Sequence, residues 1–206
     1  MLTSTSEKKE SKKEDLLFAN KPIILIGLMG AGKSSVGRLV AQKLNLKFFD
    51  ADTEIEIAAD CSIPEIFEKY GENSFRDCER RVINRLIKNK SCIIATGGGA
   101  FIDQETRDLI KRDGISIWLK ANLETLVKRT SGRKNRPLLN TENPKEILSE
   151  LMDLRYPIYQ KANITVTTDT NKKNITCKKI ISAIKQYYEQ KSNIPIITEI
   201  KNEWYC

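Results

Sequence analysis

The sequence predicts an α/β protein, a three-layer sandwich in which a five-stranded parallel sheet carries helices on both faces. Three observations lead there. Short apolar runs alternate along the chain with longer amphipathic stretches, as strand–helix–strand units require. The first run passes straight into a glycine-rich turn and then a helical pattern, IILIGLMGAGKSSVGR. The chain has 206 residues, 40% of them hydrophobic and 30% charged, enough for one domain with a sizeable core.

Taken in order, residues 1 to about 20 are Ser, Lys and Glu with few apolar groups and are predicted to be a disordered arm. The domain is expected to span 21–190. Its strands are the runs Pro22–Ile26, Phe48–Phe49, Cys92–Ala95, Ile115–Leu119 and Ile164–Val166. Between them, Val36, Leu39, Val40 and Leu44 line one helical face, and Phe75, Cys78, Val82 and Leu86 line another. Residues 131–142 have almost no apolar periodicity and carry Arg133, Lys134 and Arg136, which suits a mobile basic lid better than the alternative of a plain solvated loop. Asn143-Pro144 reads as an N-cap followed by proline at the start of a helix. That helix is expected to end at Tyr156-Pro157, just after Arg155. The tail, 191–206, has no counterpart in the repeated pattern and receives no role.

Composition excludes several function classes. The longest uncharged stretch near the start, Pro22–Gly32, is 11 residues, well below the roughly 20 of a membrane span. No apolar core longer than Leu16–Ala19 precedes residue 21, and Glu7, Glu10, Glu14 and Asp15 all come before the first arginine, Arg38. Neither a secretory nor an organellar leader is expected, and the expected location is the cytoplasm. The five cysteines are scattered and never form C-x-x-C, so reduced thiols fit better than a zinc site or a disulfide framework. The absence of His removes Ser-His-Asp and Cys-His catalysis. Net charge is +8, which suits an anionic partner without naming it. No helix has a continuous basic face and no paired aromatic-basic motif is present, so nucleic acid is not the expected partner.

Gly27 to Ser34 match G-x-x-x-x-G-K-S in its required setting of strand, loop and helix. Glycines let backbone N–H groups turn inward around phosphates, and the helix that follows adds its positive end. Lys33 is expected to reach the β- and γ-phosphates and Ser34 to ligate Mg²⁺. Gly30, Ala31, Gly32, Lys33, Ser34 and Ser35 are thus the candidate nucleotide contacts. No N-K-x-D guanine signature is present. The third strand ends in Thr96-Gly97-Gly98-Gly99 where an acid is often found, so Asp50 and Asp52, after strand two, become the candidate acids. Each also fits a plain helix N-terminal acid. Arg76 and Glu79 are three apart on one helix, with Phe75 adjacent. They suit a small carboxylated, hydroxylated ring, or an ordinary surface ion pair. Arg155 suits the same anion or the end of a helix dipole.

Together GLMGAGKSSVGR, FFDADTEIE, IPEIFEKYGENSFRDCE, ATGGGA, NRPLL and DLRYPIY resemble the shikimate kinases, in order from about residue 22 to 185. The resemblance implies a nucleoside-monophosphate-kinase-like P-loop fold with a helical substrate-binding region over about 52–80 and a mobile lid over about 131–142. It implies transfer of the γ-phosphoryl of MgATP to the 3-hydroxyl of shikimate, a step of chorismate and aromatic amino-acid biosynthesis, by a monomer. In the family's pattern Asp52 holds the shikimate hydroxyls and orients or deprotonates the attacking one. Asp50 holds Mg²⁺, and Arg76 and Arg155 grip the carboxylate. Gly97, Gly98 and Gly99 lie against the ring, with Glu79 nearby. Arg136 reaches the transferring phosphoryl and Arg129 packs over adenine. Gluconate kinase and nucleoside monophosphate kinases share the loop and a lid and are the alternatives. The stretch TDTNKKNIT departs from the family's adenine-side pattern, so the contact there, for which Lys172 and Lys173 are candidates, is left unassigned.

Overall fold

Ile23–Ile26 (β1) are completely shielded from solvent, as befits the middle strand of a parallel sheet whose faces are both covered. The computed structural model describes residues 21–131, 143–169 and 172–192. The expected arm (1–20), nearly all of the expected lid (132–142, with Arg133, Lys134 and Arg136) and the tail after Ser192 lie outside the described residues.

The remaining strands are β2 (Lys47–Asp50), β3 (Cys92–Ala95), β4 (Ile115–Lys120) and β5 (Ile164–Thr167), arranged β2-β3-β1-β4-β5 with every pairing parallel. The expected runs therefore sit within a residue of the observed strands. Seven helices are described: α1 (Lys33–Lys43), α2 (Ala51–Ala59), α3 (Ile63–Ile87), α4 (Gln104–Asp113), α5 (Leu123–Thr130), α6 (Pro144–Tyr159) and α7 (Lys173–Ser192). Because successive strands leave the centre in opposite directions, the carboxyl ends of β1 and β3 flank the crevice where ligands bind in sheets of this kind.

Helix boundaries follow local chemistry. Ser62 and Glu65 form a reciprocal capping box at the start of α3, with the Glu65 N–H donating to Ser62 Oγ at 3.4 Å and the Ser62 N–H donating to Glu65 Oε2 at 2.8 Å. Asn143 caps α6, its Oδ1 accepting from the Glu146 N–H at 3.4 Å. The predicted stop before Pro157 is incorrect, since α6 continues to Tyr159. Proline removes one N–H donor in the last turn. That loss is offset by anchors on either side of it: the Tyr156 hydroxyl donates to the Ala121 carbonyl and the Tyr159 hydroxyl to the Gly98 carbonyl.

α3 is broken at Gly71, where φ is 76° and ψ 176°, a combination essentially restricted to glycine. The break lets Phe67 fold back on Phe75, ring centroids 4.7 Å apart. A Cβ on Gly71 would meet nothing within 4 Å, so the barrier to substitution is torsional alone. Gly71→Ala should therefore destabilise by about 1–3 kcal/mol, read as a lower Tm. An ordinary helix-interior glycine would gain stability from the same change, so a raised Tm would mean the two segments straighten into one helix.

Candidate active site

The phosphate loop hangs between β1 and α1. Gly32, the residue before α1, has φ 97° and ψ 14°, left-handed backbone that glycine adopts without strain. It offers no side-chain cap, and the first turn of α1 holds no acid. The helix thus presents unneutralised N–H groups and the positive end of its dipole to the loop's interior. Lys33 Nζ donates to the carbonyls of Gly27 (2.7 Å) and Leu28 (3.0 Å). Ser34 is half-buried in the first turn, while Ser35 is exposed and donates to the Gly32 carbonyl at 3.2 Å. The Ala31 side chain is buried.

Arg129, expected over adenine, braces this loop from outside. Its guanidinium donates to the Gly30 carbonyl (3.3 Å) and the Thr168 carbonyl (2.5 Å), and the Thr168 hydroxyl donates to the Ala31 carbonyl (3.3 Å). Burial lowers the Arg129 pKa, with Asp169 opposing.

The acceptor side follows from register. Asp50 pairs with Ala95 and Leu25 with Ala95 across β3, so Asp52 and Gly97, each two residues further on, meet. A Cβ on Gly97 would lie 2.9 Å from Asp52 Oδ1 and 3.1 Å from Glu79 Oε1. On Gly98 it would lie 3.2 Å from Arg155 Nη1 and 3.7 Å from the Gly27 carbonyl of the phosphate loop. On Gly99 it would lie 2.6 Å from Arg76 Nη1. None of the three has a positive φ, so glycine is required here for space. Asp52, Arg76, Glu79 and Arg155 therefore surround one short segment that itself touches the nucleotide loop. Asp50 is the half-buried residue preceding α2, and its carboxylate makes no capping bond. Arg136 lies outside the described residues.

Glu79 is 1% exposed, which rules out the surface-pair alternative for Arg76 and Glu79. Arg76 Nη1 donates to Glu79 Oε2 at 2.7 Å, and its Nε and Nη2 donate to Glu72 Oε1 at 3.3 and 3.1 Å. Three of the five guanidinium N–H groups are thereby used. Glu79 Oε1 is buried with no partner. Desolvation raises the Glu79 pKa, Arg76 lowers it, and the charges of Asp52 and Asp103 raise it further. An acid whose pKa is raised on folding loses stability as pH rises through that value. Arg76→Ala removes the lowering contribution. It should cost about 2 kcal/mol at neutral pH and less at pH 5, seen as a steeper fall of Tm with pH than in the unsubstituted protein.

Two side chains that the sequence did not single out hold this segment and the turn that follows it. Tyr159 donates to the Gly98 carbonyl, and its position one turn after Arg155 was the available signal. Arg107 is buried and donates to the carbonyls of Phe101 (2.8 Å) and Ile102 (2.9 Å). Nothing in QETRDL marks it out from a solvated helix cation. For metals, no group of three or more His, Cys, Asp or Glu side chains clusters among the described residues. Ser34 and Asp50, whose carboxylate makes no capping bond, could instead hold a Mg²⁺ that arrives with phosphates, an ion that takes one or two protein ligands.

The family model for shikimate kinase matches residues 29–185. The chain belongs to the shikimate kinase family. A shikimate kinase of Bartonella henselae is 47% identical over 174 residues, 84% of this chain and 83% of that one. The structure of the shikimate kinase from Acinetobacter baumannii in complex with shikimate is similar with a TM-score of 0.79 at 39% identity, over 84% of this chain and 97% of that one. A gluconokinase from Sinorhizobium meliloti, 13% identical over 85% of this chain and 97% of that one, has a TM-score of 0.60 and shares the fold alone. The nucleoside-monophosphate-kinase-like arrangement expected for the shikimate kinase family is the one observed. No described helix is long and apolar enough to cross a membrane.

Proposed function

We infer that this shikimate kinase family member transfers the γ-phosphoryl group of ATP to the 3-hydroxyl of shikimate, giving shikimate 3-phosphate and ADP. The observation that carries the reading is the convergence of Asp52, Arg76, Glu79 and Arg155 on Gly97–Gly99, with Gly98 against the phosphate loop. Arg76 and Arg155 grip the ring carboxylate, the former through N–H groups that Glu72 and Glu79 leave available. Gly97–Gly99 let the ring approach the backbone, and Glu79 fixes the Arg76 fork.

Asp52 accepts from the attacking hydroxyl and keeps its oxygen in line with the γ-phosphorus. As that oxygen bonds to phosphorus, the bond to the β–γ bridging oxygen breaks and its electron pair leaves with ADP. The hydroxyl proton passes to Asp52 late, because the transition state is loose. Positioning of this kind removes much of the entropic barrier. Lys33 and Arg136 neutralise charge on the transferring group, while the N–H groups of Gly30–Ser35 cradle the phosphates. Arg129 fixes that cradle and lies at its adenine side. Ser34 and Asp50 would hold the Mg²⁺ that accompanies the nucleotide, whose charge offsets that of the phosphates. The family resemblance implies that it acts as a monomer.

ADP release measured in parallel with shikimate, gluconate and AMP tests the reading. Turnover is expected with shikimate, and turnover only with another acceptor overturns it. Arg76→Ala should raise the shikimate KM by about tenfold or more with little change in the ATP KM.

A further inference from the structure

Tyr159 is fully buried yet carries a hydroxyl into the acceptor side of the site. Its ring packs against Trp118 and Tyr156, with centroids 6.0 and 6.2 Å away, so the phenol has little freedom to swing. The hydroxyl donates to the Gly98 carbonyl. In a planar trans peptide the C=O and the following N–H point in opposite directions. Holding the Gly98 carbonyl towards Tyr159 therefore aims the Gly99 N–H away from it. Arg155 lies one helical turn before Tyr159 on α6, and Arg155 Nη1 is 3.2 Å from where a Cβ on Gly98 would be. The same guanidinium acts on the phenol oxygen, lowering its pKa against a larger rise from burial; the net result is about 12. The hydroxyl thus keeps its proton, and remains a donor, across the working pH range.

We propose that Tyr159 is a positioning residue for the acceptor: one hydroxyl, seated between Arg155 and the Gly98 carbonyl, sets the carboxylate-gripping arginine and the glycine segment in fixed relation. The inference rests on the reading of the site as an acceptor pocket for shikimate. Tyr156 supplies an internal control. It has the same chemistry, sits three residues earlier on α6, and burial raises its phenol to about 12 as well. Its hydroxyl, however, donates to the Ala121 carbonyl, away from the glycine segment.

Tyr159→Phe and Tyr156→Phe remove one hydrogen bond each and keep the ring packing. Loss of a buried hydrogen bond corresponds to a change of roughly three- to tenfold in an equilibrium. Steady-state kinetics of Tyr159→Phe should show the shikimate KM raised by about that factor with the ATP KM unchanged, while Tyr156→Phe leaves both unchanged. A shikimate KM in Tyr159→Phe within twofold of the unsubstituted value overturns the proposal. So does an equal rise in both Michaelis constants, or the same shikimate effect in Tyr156→Phe, because each would indicate general loosening. A second measurement needs no variant: titrating shikimate into the unsubstituted protein should shift the Tyr159 ring and Gly98 and Gly99 amide resonances, with the Tyr156 ring unmoved. A stationary Tyr159 overturns the proposal. Absence of turnover by the unsubstituted protein in the same assay would instead remove the acceptor reading itself.

Discussion

Lys33→Ala is expected to lower kcat by about two to three orders of magnitude while the chain stays folded. In the structure the ammonium rests on the Gly27 and Leu28 carbonyls at 2.7 and 3.0 Å, so it lies within the loop that surrounds the phosphates. On phosphate binding it exchanges those neutral acceptors for charged oxygens whose negative charge grows in the transition state. That differential interaction is what accelerates phosphoryl transfer. Removing it leaves the backbone cradle intact, so the ATP KM should rise less than kcat falls. The stability cost should stay at about 1–2 kcal/mol, since the Gly27 and Leu28 carbonyls each lose the lysine donor. Lys33→Arg should not rescue, because a planar fork cannot replace a compact charge at this depth. A kcat within tenfold of the unsubstituted protein would remove Lys33 from the reaction.

Asp52→Asn should lower kcat by about two to three orders of magnitude with the ATP KM changed little. The two side chains are nearly the same shape, so an effect on turnover isolates the charge and proton-accepting capacity of the carboxylate. The variant carries a second, independent signature. Asp52 raises the pKa of buried Glu79, and its neutralisation should let Glu79 ionise at lower pH. The folded-state pKa then lies nearer its unfolded value, and the fall of stability with rising pH becomes shallower. Arg76→Ala shifts the same slope in the opposite direction. Thermal melts of both variants between pH 5 and 8 test whether the two residues act on one buried carboxylate, and slopes moving together would refute it.

Much of the fold was legible because its signals are local. The apolar runs read as strands are strands, since a doubly covered parallel sheet leaves little room for polar interruption. The glycine loop was legible because left-handed backbone and an uncapped helix start restrict residue choice at Gly32. Asn143-Pro144 likewise marked a helix start. The helix end at Pro157 was misread because two distant anchors, Ala121 and Gly98, outweigh the local cost of proline. The burial of Glu79 was equally invisible: an arginine and a glutamate three apart look alike on a surface and beside a cavity. Arg107 was passed over for that reason too, as its acceptors are carbonyls that carry no sequence signature. Arg76 and Arg155 were identified only through resemblance to a family, for their spacing admitted a bland alternative.

The pairing of Asp50 with Ala95 has a consequence for what the gene can tolerate. Inserting or deleting a single codon between Asp50 and Asp52, or between Ala95 and Gly97, would turn the carboxylate about 100° around its helix axis or advance the opposing chain by about 3.3 Å. Either error exceeds the tolerance of in-line attack. Length changes should accordingly be purged from these two junctions even where individual substitutions survive. The exposed turn at residues 88–91, on the opposite edge of the sheet, can absorb them.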